Sequence, residues 1–239
     1  MTTGLLIPLY IYPGAAWNEV AELQRANPHV PMVAVVNPDS GPGIRIDSNY
    51  TAAISNLQSA GVTVLGYVPT AYASPRISAV ESMMRDYKNW YLVNGIFFDE
   101  MSTANGNERY YTTLNEYSKL LRFTCTVGNP GSDIPPTYIG TLDTMVIYEN
   151  CGLPSTSLMA GWHSGFAKSN FAILAHGVPS VSQSYLSALY PCVAYLYATN
   201  EAMPNPYGAL PPYLASVASA LQSIAVEKQI IPPAMTIVS

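Results

Sequence analysis

A repeated alternation constrains this chain more than any other feature. Short apolar, β-branched and aromatic runs recur at roughly 25–35-residue spacing, with helix-compatible stretches between them. The runs predict strands at Leu5–Tyr10, Met32–Asn37, Val62–Val68, Gly95–Asp99, Phe123–Gly128, Thr144–Glu149, Phe171–His176 and Val193–Ala198. Most are apolar throughout rather than alternating, as parallel strands covered on both faces require. The spacers predict helices at Ala16–Ala26, Thr51–Ala60, Pro75–Trp90, Asn107–Leu121, Thr156–Ala167, Val181–Leu189 and Pro212–Ile224. Pro130–Gly140 is too rich in Pro and Gly for a long helix. Eight such units in 239 residues predict an α/β fold, a (β/α)8 TIM barrel. Residues 1–239 are expected to form a single domain, with 227–239 as a C-terminal tail. The alternative is an open doubly wound sheet, but no strand-to-helix turn carries GxGxxG or a P-loop.

Composition narrows the function classes. Charged residues make up 10% of the chain and apolar ones 49%, the reverse of a disordered sequence. The net charge is −5, and ten Lys and Arg are scattered, so nucleic acid is not expected as a partner. Cys125, Cys151 and Cys192 are too few and too far apart for a disulfide framework or a zinc site. No metal and no cofactor are implied. Residues 169–200 lack Asp, Glu, Lys and Arg, but Asn170, Gly177, Pro179, Gln183 and Pro191 interrupt them, so no membrane span is expected. Met1-Thr2-Thr3-Gly4 has no basic residue ahead of Leu5, and no signal peptide is read there. A monomer is expected.

In a barrel of this kind chemistry gathers at the C-terminal ends of the strands. Asp99, Glu100 and Glu149 directly follow two of the most apolar runs in a chain with only 15 carboxylates. A carboxylate in such a place is costly unless it is paired, hydrogen-bonded or used. Alternation puts Asp99 on the face of Phe97, and Glu149 on the face of Ile147. If both faces point inward, two carboxylates meet at the mouth, the working parts of most glycoside hydrolases. Either one could instead cap the helix that follows. Tyr12, Tyr67, Tyr72, Tyr148 and Tyr197 stand at or just beyond strand ends, where ring faces could stack on sugars. Asn37, Asn129 and His176 end strands two, five and seven and complete the candidate substrate-binding set.

The ordered strand-end segments resemble the spherulin-4-like family. They are Ile7-Pro8-Leu9-Tyr10-Ile11-Tyr12-Pro13, Val36-Asn37-Pro38-Asp39-Ser40-Gly41-Pro42-Gly43, Gly66-Tyr67-Val68-Pro69-Thr70 and Gly95-Ile96-Phe97-Phe98-Asp99-Glu100. Asn129-Pro130-Gly131, Val146-Ile147-Tyr148-Glu149 and His176-Gly177 continue the series, which covers Leu5 to Thr199. The resemblance implies the same barrel. It also implies an endo-acting glycoside hydrolase that cleaves α-1,4-linked N-acetylgalactosamine in galactosaminogalactan, a fungal cell-wall and biofilm polysaccharide. The acidic motifs of the family fall on Asp99, Glu100 and Glu149. Related α-galactosaminidases suggest retention, with Asp99 as nucleophile and Glu149 as acid/base; the roles could be exchanged. A secreted or wall-associated protein is expected from the resemblance. Two alternatives stay open: a non-catalytic carbohydrate-binding or spore-wall protein on the same fold, and a hydrolase of a different amino-sugar glycan.

Overall fold

The computed structural model describes residues 2–230. Eight parallel strands close into a barrel in sequence order: β1 (Gly4–Leu9), β2 (Met32–Val36), β3 (Thr63–Pro69), β4 (Gly95–Asp99), β5 (Cys125–Gly128), β6 (Thr144–Cys151), β7 (Phe171–His176) and β8 (Tyr195–Ala198). The last strand pairs back onto the first through Gly4–Tyr195 and Leu5–Leu196. The expected strands are all present, and those of β4 and β7 have the expected bounds.

Among the described residues, six α-helices cover the outside: α1 (Ala15–Ala26), α2 (Ser48–Ser59), α3 (Ile77–Asp86), α4 (Glu108–Leu120), α5 (Gln183–Leu189) and α6 (Leu214–Ile230). The Asp47 carboxylate caps α2 by accepting from the Asn49 N–H, which starts this helix three residues earlier than expected. The single helix expected at Pro75–Trp90 divides into α3 and a wide turn, Tyr87–Tyr91. There Tyr87 presses on Gly66 of β3 so closely that an added Cβ would stand 2.5 Å from its ring. The helix expected at Thr156–Ala167 is absent. Two short 3-10 turns, Thr156–Ala160 and Trp162–Gly165, replace it, separated at Gly161 by a non-helical backbone with φ of −81° and ψ of −139°. Small and hydroxylated residues favour such turns over a helix, and Trp162 and His163 instead pack on Phe171. α6 runs past the expected Ile224 to Ile230, so 227–230 continue the helix. The rest of the expected tail, 231–239, lies outside the described residues.

Strand register defines the inner face. Residues paired across parallel strands point to the same side. The pairs Pro8–Val35, Val35–Leu65, Leu65–Gly95, Gly95–Cys125 and Leu174–Tyr197 therefore share a side with their even-spaced neighbours. Carried to the C-terminal ends, that side presents Tyr10, Asn37, Tyr67, Asp99, Asn129, His176 and Tyr197. β6 breaks the alternation. Val146 pairs with Ala172 and Tyr148 with Ile173, leaving Ile147 as a bulge. Glu149 consequently shares the inner face with Val146 rather than with Ile147, correcting the simple alternation. The extra residue turns Glu149 into the barrel and Tyr148 out of it.

Candidate active site

Asn129 organises the mouth. Its Nδ2 donates to Asp99 Oδ1 at 2.9 Å and to Glu149 Oε2 at 2.7 Å. Its Oδ1 accepts from the Gly131 N–H at 3.1 Å, which fixes which end of the amide faces the carboxylates. Two oxygens bonded to one nitrogen are at most about 5.6 Å apart. The Asn129 backbone is held as firmly, donating to Phe98 O at 2.8 Å and accepting from Met101 N at 2.9 Å.

Each carboxylate also has a phenol. The Tyr207 hydroxyl donates to Glu149 Oε1 at 2.5 Å, and the Tyr67 hydroxyl faces Asp99 and works to lower its carboxyl pKa. Tyr10 lies between, edge-on to both rings at 5.6 and 5.7 Å. Burial, reinforced by the two carboxylates, raises the pKa of Tyr10 well above that of an ordinary phenol, so it remains a neutral donor. Burial likewise raises the Asp99 carboxyl, opposed by the Tyr67 hydroxyl, the Glu100 backbone N–H and Asn129, and assisted by the nearby Glu149. Neither carboxylate has a cation: the ion pairs among the described residues are Lys119–Asp143 and His163–Asp133. No group of three His, Cys, Asp or Glu gathers to hold a metal among those residues.

The turn after β4 is strained and pinned. Glu100 has φ of +50°, and Ala71, Tyr72 and Ala73 in the facing β3 loop have φ of +38°, +57° and +68°. The fully buried Thr70 ties the two together, its Oγ1 donating to Asp99 O at 2.8 Å and Glu100 O at 3.0 Å. The Tyr72 N–H donates to Glu100 O at 2.7 Å. Glu100 thus contributes backbone to the site while its side chain is exposed.

The expected residues divide into groups. Asp99, Glu149, Asn129 and Tyr67 come together at the centre. Asn37 reaches the mouth, but its Oδ1 is used by the Gly41 N–H at 3.0 Å. His176 lines a cleft of about 530 Å³ beside Glu149, with Asn150, Met203, Pro206 and Tyr207. Tyr72 and Tyr12 stand exposed at the rim. Two tyrosines are not where the sequence suggested. Tyr148 is turned outward by the bulge and donates to the carbonyls of Cys151 and Gly152 at 3.1 and 3.0 Å. Tyr197 points inward but is only 1% exposed, packed against Tyr207 with its hydroxyl unpartnered among the described residues. Tyr10 and Tyr207 were missed. Tyr10 shares the inward parity of Pro8, a signal that was available. Tyr207 lies in an irregular loop after β8, where no periodicity marks it.

Comparison with known proteins agrees with this architecture. Residues 4–221 match the family described as Spherulation-specific family 4, and the chain belongs to it. It is 32% identical over 236 residues to Spherulin-4 of Physarum polycephalum, covering 92% of this chain and 70% of that one. Among solved structures it is similar to Aspergillus clavatus Sph3 in complex with GalNAc, with TM-score 0.84 and 25% identity over 92% of this chain and 98% of that one. The YdjI aldolase of Escherichia coli K12, at TM-score 0.54 and 11% identity over 95% and 90%, shares the fold alone. Among the described residues, no helix is long and apolar enough to cross a membrane.

Proposed function

We propose that the chain is an endo-acting, retaining glycoside hydrolase that cleaves α-1,4-linked N-acetylgalactosamine in a galactosaminogalactan-type polysaccharide. The observation that carries this reading is the Asn129 bridge, which holds Asp99 and Glu149 at the barrel mouth with no cation on either. Retaining enzymes need carboxyl groups about 5–5.5 Å apart, and inverting ones about 6.5–9.5 Å. The limit set by the bridge favours the first. The similarity to Sph3, solved in complex with GalNAc, supports the sugar.

In this reading Asp99 attacks the anomeric carbon. Glu149 gives its proton to the departing glycosidic oxygen, and the C–O bond breaks as an ester to Asp99 forms. Glu149, now ionised, takes a proton from water, whose oxygen displaces Asp99 and restores the starting configuration. As nucleophile Asp99 acts in its ionised form, which the Tyr67 hydroxyl and the Asn129 amide favour against the burial that raises its carboxyl. Glu100 positions the nucleophile through its backbone N–H, and Tyr72, Asn37 and His176 border the sugar.

The test is reducing-end release from purified galactosaminogalactan, with the anomer of the first product followed by proton NMR. The expected result is release by the wild type, α-anomer first, and none above background by Asp99→Asn or Glu149→Gln. Release with the β-anomer first would replace retention by inversion. Binding without release by the wild type would make the chain a carbohydrate-binding protein.

A further inference from the structure

We propose that the cleft between the β1 and β2 loops is a distal glycan-binding site, separate from the carboxylate pair, with Tyr12 as its stacking platform. The inference rests on the glycan-acting reading above but not on catalysis. The cleft has a volume of about 750 Å³, and its walls include Tyr12, Asp39, Ile44, Arg45 and Ile46. Asp99, Asn129 and Glu149 do not line it. In the closed order of strands β2 stands four places from β6, so this cleft and Glu149 occupy opposite sides of the mouth.

Its walls are tied together by hydrogen bonds within the protein. The Tyr12 hydroxyl donates to Asp47 Oδ2 at 3.0 Å and accepts from Asn49 Nδ2 at 2.8 Å. Its ring packs edge-on against Tyr50 at 5.6 Å, yet the residue is 58% exposed. With the hydroxyl already used, what Tyr12 offers to solvent is the ring. The neighbouring loop is clamped at both ends by one phenol. Tyr91 donates to Pro42 O at 3.2 Å and accepts from the Asp47 N–H at 3.1 Å. Ile44, 93% exposed, projects from that clamped loop with Arg45 and Ile46. A fixed aromatic face beside apolar side chains, an Asp and an Arg suits the C–H face and hydroxyls of a pyranose. Side chains already held by such bonds lose less entropy when a polymer settles there. The cleft is built on the loops that follow β1 and β2, at the same end of the barrel as the carboxylate pair, so the occupant is the same polysaccharide chain.

The experiment measures binding of galactosaminogalactan by calorimetry in a Glu149→Gln background, and kcat/KM on long and short fragments in the active enzyme. Tyr12→Ala, Tyr12→Phe and Tyr12→Trp are compared. We expect Tyr12→Ala to weaken polymer binding and long-fragment kcat/KM about tenfold, with a smaller effect on fragments too short to span the mouth. Tyr12→Phe breaks the same hydrogen bonds but keeps the ring, and is expected to retain most of the affinity, as is Tyr12→Trp. Equal loss in Phe and Ala would make the tyrosine a loop anchor and overturn the proposal, as would equal loss on short and long fragments. An inactive wild type whose polymer binding still depends on the Tyr12 ring would sink the hydrolase reading and leave the distal site standing.

Discussion

Strand β6 carries an acid at each end, and the two are treated oppositely. Asp143, just before the strand, is fully compensated: Lys119 Nζ lies 2.6 Å away, the Thr126 N–H 2.8 Å and the Thr126 hydroxyl 3.0 Å. Glu149, near the other end, has only neutral donors and faces a second carboxylate. One end uses an acid to join α4, β5 and β6. The other holds its acid with neutral donors alone, from Asn129 and Tyr207, beside a second carboxylate. This is the usual division of a barrel into a stabilising floor and a reactive rim.

The contrast breaks most severely at the pair itself. Asp99→Asn and Glu149→Gln should each lower kcat/KM on the polymer by about a thousandfold or more. Asp99→Asn should at the same time raise the melting temperature by about 2–4 °C. The sign follows from the raised Asp99 carboxyl. The folded state holds that proton more tightly than the unfolded chain does, so it loses stability as pH rises through the folded pKa. A neutral amide does not incur that loss. A scanning calorimetry trace with a lower midpoint would contradict this account.

Removing the bridge comes next. Asn129→Ala should cost about a hundredfold in kcat/KM, in line with the loss of one well-placed donor. A residual rate close to wild type would mean that the carboxylates are positioned without it. Tyr67→Phe should cost less, about tenfold, and carries a more specific signature. It deletes a hydroxyl that lowers the Asp99 carboxyl pKa, so the acid limb of the kcat/KM–pH profile should move to higher pH. A limb that stays in place would separate Tyr67 from the titration of Asp99.

The smallest effect belongs to the floor. Asp143→Asn should leave kcat/KM within about twofold and lower stability by about 1 kcal/mol, read as a fall in melting temperature. Its ion pair with Lys119 is partly exposed and contributes little, so most of the loss should come from the Thr126 contacts. A large drop in activity without a change in melting would erase the distinction between the two ends.

The sequence by itself determined the barrel and one of its carboxylates. Uninterrupted apolar runs are readable because burial on both faces leaves no polar residue to disguise them, and Asp99 follows Phe97 inward by plain alternation. Asn129 was legible as a strand end, though not as the group that joins two acids. The inward turn of Glu149 was decided only by tertiary structure. It depends on Ile147 bulging out of the β6–β7 ladder, and no local propensity announces one extra residue between strands. The same bulge removed Tyr148 from the mouth. The partnership of Tyr207 with Glu149 spans 58 residues and an irregular loop, so it exists only once the barrel has closed. Periodicity records which face of an element is buried; it carries no record of which distant loop returns to cover the site.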